Sequence, residues 1–151
     1  MTHMTIGTGM RTWIRLWTCV VLMSVAVSGC GGNTSGGDDV LEAKLSDLKQ
    51  RGEAARLSDL TDFSWDEVHL FNEYTRREAI EKIVGSPVIT ADYHNAGSLL
   101  VFEDHGTLVK SVTVSGDYLR ADGYTFGPDV MVEPWGNGAM RLTPPGAKSQ
   151  G

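Results

Sequence analysis

The chain has 151 residues with 19 acidic and 13 basic side chains, a formal charge of −6. That length holds one ordinary domain rather than two independent cores, and the acidic balance excludes a protein built to neutralise phosphates, so no nucleic-acid partner is expected. Two cysteines, Cys19 and Cys30, are too few for a disulfide framework and lack zinc-finger spacing.

The N-terminus reads as an address. Arg11 and Arg15 supply positive charge ahead of the apolar run Leu16 to Val27 (LWTCVVLMSVAV). A basic flank, a short apolar core and small residues after it form the layout of a secretory signal. The run has 12 residues, short of the roughly 20 that an α-helix needs to span a bilayer. It closes on Val27-Ser28-Gly29-Cys30, which resembles the bacterial lipobox, an aliphatic residue and two small ones before an obligatory cysteine. The resemblance implies that residues 1–29 are a signal peptide and that the Cys30 thiol carries the lipid. Removal of 1–29 takes two basic side chains and no acidic ones, leaving a formal charge of −8. Such a body gains nothing electrostatically from anionic lipid. Attachment then rests on the acyl chains, at about 0.8 kcal/mol per buried CH₂.

Residues 30–39 (CGGNTSGGDD) are the lipidated cysteine and a Gly/Ser-rich tether with nothing to bury. Residues 40–58 follow as an amphipathic helix or stalk. Leu41, Leu45 and Leu48 lie at helical spacing with Ala55 on the same face, Asp38 and Asp39 at the N-terminus, and Gly52 interrupting. Whether it packs on the domain, pairs with another protein or stands as a stalk is open at this stage. A small α+β domain is expected over 59–143, with one or two helices packed on an antiparallel sheet of four to five strands, and a loose tail over 144–151. Period-2 alternation of Trp65, Glu67, His69 and Phe71 with Asp66, Val68 and Leu70 predicts a first strand. Thr75-x-x-Glu78 matches a capping box for a helix that carries Ala79, Ile80, Ile83 and Val84 and stops at Gly85-x-Pro87. A hairpin about Asp104-His105-Gly106 follows, with Leu108, Lys110, Val112 and Val114 expected on one face. A last strand-turn-strand unit surrounds Pro134 to Gly138.

Little in this pattern carries catalytic chemistry. His69, His94 and His105 fall on a strand, a loop and a turn with no paired-ligand spacing, so no metal site and no cofactor are expected. Serines lack the G-x-S-x-G elbow. Asp66-Glu67 and Glu103-Asp104 are strand neighbours, which point to opposite faces and read as solvated charges. The large aromatics Trp65, Phe71, Tyr74 and Trp135 are either core or an exposed binding patch, Trp135 being best placed for exposure between Pro134 and Gly136.

Tyr74-Thr75-x-x-Glu78-x-Ile80-x-x-Ile83-x-Gly85-x-Pro87 and Leu100-Val101-Phe102-Glu103-Asp104-x-Gly106-x-Leu108 resemble the BamE/SmpA-type lipoprotein domain. The stretch Phe63 to Tyr74 resembles related small bacterial lipoproteins. The resemblance implies a role in outer-membrane protein assembly. The reading at this stage is a non-enzymatic, lipid-anchored module on the outer side of a cell membrane or in an outer membrane, binding an envelope protein or cell-wall component. A small-ligand or inhibitor-type binding domain is the alternative.

Overall fold

The computed structural model describes residues 38–147; the expected signal peptide over 1–29, Cys30, the expected tether up to Gly37 and residues 148–151 lie outside the described residues. Eleven elements follow in chain order: α1 (Asp39–Arg51), β1 (Ala55–Arg56), α2 (Leu57–Leu60), β2 (Glu67–Asn72), α3 (Arg77–Val84), β3 (Gly97–Asp104), β4 (Thr107–Ser115), β5 (Leu119–Ala121), β6 (Thr125–Phe126), β7 (Met131–Pro134) and β8 (Met140–Thr143). The fold is α+β, as expected. The strands form two four-stranded sheets, ordered β4-β3-β2-β6 and β1-β7-β8-β5. Pairing is antiparallel except between β5 and β8, which run parallel.

The first helix begins at Asp38, whose carboxylate accepts from the N–H groups of Val40 (3.1 Å) and Leu41 (3.0 Å). It ends at Gly52 in the left-handed conformation, short of the expected end, and Ala55 belongs to β1 instead. Leu41, Leu45 and Leu48 are buried in the main core beside Leu57, Val112 and Leu142. The helix is therefore packed against the domain, whose core reaches back past the expected boundary at 59.

Lys110 reaches across from β4 and donates to the Asp38 carboxylate. Lys110 first, and the Leu41 N–H second, hold that carboxyl below its ordinary value of 3.8. A carboxyl depressed on folding contributes stability that is full above its unfolded pKa and lost as pH falls through its folded value. Asp38→Ala is expected to lose about 1 kcal/mol at neutral pH, the usual worth of such a cap. That difference narrows as pH drops below 3.8. Urea denaturation of both proteins across a pH series measures it, and a pH-independent difference contradicts the assignment.

The first sheet is covered on both faces. Val68, Leu70, Leu100, Phe102, Val112 and Val114 face the core shared with α1 and the second sheet. Phe71, Leu99 and Val101 face the other way, under Ile80 and Val84 of α3 and under Val88 and Tyr93. Register along β3–β4 slips between Phe102 and Glu103, so that Phe102 pairs with Lys110 and Glu103 with Leu108. Val109 is the extra residue of this bulge, which turns Leu108 onto the α3 face, away from Val112 and Val114. The single-face expectation for β4 fails there, because one inserted residue inverts the alternation. The hairpin turn itself is as short as expected: His105 (φ 51°) and Gly106 (φ 71°) are both left-handed, the two-residue geometry whose twist suits a hairpin.

The capping box is replaced by another device. Thr75 Oγ1 donates to the Asn72 carbonyl at 2.6 Å, and α3 starts two residues later. Its first N–H, on Arg77, is met by the Asp92 carboxylate at 2.9 Å from a loop 15 residues on. A side chain remote in sequence thus does what the local motif was expected to do.

Candidate functional site: a buried histidine between two carboxylates

Strand β2 places Glu67, His69 and Phe71 on the α3 face of the first sheet, since side chains alternate along a strand. The antiparallel register then sets Glu67 directly opposite Glu103 and His69 opposite Val101. On its other edge His69 lies opposite Thr125 of β6. The imidazole is 1% exposed and Glu103 is 4% exposed, whereas the Glu67 side chain is about half exposed, at 48%. Nε2 of His69 lies 2.8 Å from Glu103 Oε2 and 3.3 Å from Glu67 Oε1. Nδ1 lies 2.9 Å from the Thr125 hydroxyl, and the ring stacks on Phe71 at 6.3 Å. The second oxygen of Glu103, Oε1, is buried without a hydrogen-bond partner.

Two carboxylates facing one another across a strand pair repel, and burial strengthens the repulsion. With Nε2 between them, a proton or a cation at that point relieves the repulsion. A single proton on Nε2 reaches one carboxylate well and leaves Glu103 Oε1 unmatched. From sequence, Glu103 is expected to be a solvated charge and His69 to lack paired ligands. The burial of Glu103 corrects the first. The signal within reach was Glu67-x-His69, two polar residues at strand spacing on the face that also carries Phe71. The facing Glu103 comes only from register.

A second group, Asp66, Asp104 and His105, gathers at the hairpin turn. There the Asp66 carboxylate accepts the His105 N–H at 3.1 Å, and the Asp104 carboxylate meets His105 Nδ1 at 2.8 Å. Its members are exposed or half-exposed and satisfy one another, so this set stabilises the turn.

The four aromatics picked from sequence are not brought together. Trp65 is 7% exposed in the main core, edge-on to Phe102 at 5.2 Å with its Nε1 donating to Thr61 Oγ1. Phe71 is fully buried on the opposite face of the sheet. Both are therefore core and not part of an exposed patch. Tyr74 and Trp135 are exposed, at 72% and 47%. Tyr74 has φ 64°, a left-handed conformation unfavourable for a side chain with a Cβ. It is held there by its N–H bond to the Tyr93 carbonyl (2.8 Å) and by the return bond from the Tyr93 N–H to the Thr75 carbonyl. The adjacent Glu73 carboxylate pushes its phenol above the ordinary value of 10. Trp135 sits on the β7–β8 turn beneath the Arg141 guanidinium, 5.7 Å from the ring centre. Sequence reasoning passed over Tyr124, which is exposed and stacks on Phe71 at 6.0 Å.

Among the described residues two clefts stand out. One of about 190 Å³ is lined by the loop Ile89 to Asn95, and one of about 330 Å³ by Asp39, Glu42, Ser46, Ser115 and Tyr118. The first falls below the roughly 300–1,000 Å³ of small-molecule pockets, and the second is acidic where such pockets are mostly apolar. No family model, no curated protein and no solved structure matches the chain.

Proposed function

We propose that the chain is a lipoprotein, anchored through Cys30 to the extracytoplasmic side of a membrane. Its α+β domain acts as a non-enzymatic binding or assembly module for an envelope protein or cell-wall component. The observation that carries this reading is Val27-Ser28-Gly29-Cys30 at the close of an apolar run, with eight positions from Cys30 to Asp38, the residue that caps the first helix of the folded body. Among the described residues no helix is long and apolar enough to cross a membrane. Tyr74 and Trp135, exposed on two loops, offer the kind of anchors that dominate protein interfaces. The resemblance to the BamE/SmpA-type domain points the same way, toward assembly rather than turnover.

The test is expression in a bacterium with fractionation and mass spectrometry of the mature N-terminus. The wild-type protein is expected in the membrane fraction with acyl mass on Cys30, and Cys30→Ala in the soluble fraction without it. An unacylated N-terminus, or a Cys30→Ala protein that stays with the membrane, overturns the proposal. Cross-linking in the native envelope from positions 74 and 135 then identifies the neighbour.

A further inference from the structure

The geometry points to a function for the Glu67–His69–Glu103 cluster that the sequence did not disclose: we infer that it binds one divalent first-row transition-metal ion of the zinc type. Three features carry the inference together.

The donor atoms are spaced for it. One ligand atom from each of the three residues lies within 4.8 Å of the others, with separations of 2.8 and 3.3 Å from Nε2 to the two carboxylates. Tetrahedral zinc, with bonds of about 2.0–2.2 Å, sets its donors roughly 3.3–3.6 Å apart. Small rotations of Glu67, half exposed, and of Glu103 convert one arrangement into the other.

Charge balance favours it. Two carboxylates carry −2, which a divalent ion balances in full; buried Glu103 depends on that partner most, since half-exposed Glu67 also meets solvent. Glu103 Oε1, buried and unpartnered, becomes either a second contact to the ion or the free lone pair of a bound carboxylate. One nitrogen and two carboxylate groups form a mixed donor set suited to zinc or manganese, with zinc bound more tightly.

The far side of the ring is already prepared. A metal-bound histidine carries its remaining proton on the other nitrogen and donates it to a fixed acceptor. Here Nδ1 lies 2.9 Å from Thr125 Oγ1, a hydroxyl that can accept that proton and so leave the Nε2 lone pair for the ion. Entry for the ion is past Glu67, the exposed member.

The experiment is zinc titration of the full-length chain, stripped of metal and held in detergent, followed by calorimetry and by elemental analysis after dialysis. One equivalent of zinc is expected to bind saturably and to raise the Tm. Glu103→Gln and His69→Gln are expected to weaken that binding at least tenfold, and Thr125→Val about tenfold through the lost acceptor. His105→Ala, at the exposed turn cluster, is expected to leave it unchanged. Should the buried variants fail to fold, Glu67→Gln decides, because its half-exposed side chain is removed without opening the core; it too should weaken binding about tenfold. The ¹⁵N shift of His69 Nε2 is expected to move on zinc addition while Nδ1 stays protonated. Absence of saturable uptake, uptake abolished by His105→Ala instead, or uptake indifferent to Glu67→Gln would each overturn the inference.

Discussion

Replacing Gly97 with alanine is expected to destabilise the domain by at least about 3 kcal/mol, enough to lower the Tm by 10 °C or more at about 4 °C per kcal/mol. Gly97 opens β3 with φ +114°, a conformation that side chains with a Cβ rarely adopt, and a Cβ there would lie 2.1 Å from the Val114 carbonyl oxygen. The obstacle is backbone of the neighbouring strand, so no rotamer change relieves it. Relief requires β3 and β4 to part where Gly97 pairs with Ser115. That movement also strains the next residue, Ser98, whose buried hydroxyl donates to the Leu119 carbonyl at 3.1 Å and ties the first sheet to β5. Gly85 is the control. It too is left-handed, at φ +79°, yet nothing lies within 4 Å of its missing Cβ. Gly85→Ala is accordingly expected to cost only about 1 kcal/mol, from conformation alone. Thermal unfolding by circular dichroism ranks the two, and equal effects would sink the close-approach explanation.

Phe102→Ala is expected to cost about 3–5 kcal/mol, the range for deleting a buried aromatic ring. Phe102 is wholly buried and meets two rings edge-on, Phe63 at 5.0 Å and Trp65 at 5.2 Å. Each such pair contributes about 0.5–1.5 kcal/mol beyond area burial. The loss is a large share of the roughly 5–15 kcal/mol that holds an ordinary domain together. With a urea m-value of about 2 kcal/mol/M, the midpoint should fall by roughly 2 M. Phe102→Leu keeps most of the volume and should cost less than half as much. A midpoint shift below about 0.5 M for the alanine variant would mean that the three-ring cluster does not organise the core.

How far the site was legible follows from the kind of information each residue needs. Glu67 and His69 share a face because alternation along one strand is a local property, visible in the letters of Glu67-x-His69. Glu103 joins them through a pairing 34 residues distant, and register is set by the whole hydrophobic pattern and the turn together. The bulge at Val109 shows how fine that setting is: one extra residue moved Leu108 to the other side of the sheet. The same distinction explains the aromatics. Trp65 and Phe71 appeared alike in the alternating pattern, yet β2 begins only at Glu67, so Trp65 escapes the alternation and fills the opposite core.

Local chemistry alone determined the α+β class, the leucine face of α1, the left-handed stop at Gly85 and the tight turn at His105-Gly106. These depend on periodicity, on φ preferences and on contiguous motifs, each of which acts over a few residues. Tertiary structure decided the division of the strands into two sheets, the parallel β5–β8 pair, the docking of α1, and the cap that Asp92 supplies to α3. It also decided the meeting of Glu67, His69 and Glu103. Each of these is a choice among partners far apart in the chain, and it is made by the total burial and pairing of the folded body, to which no short stretch of sequence has access.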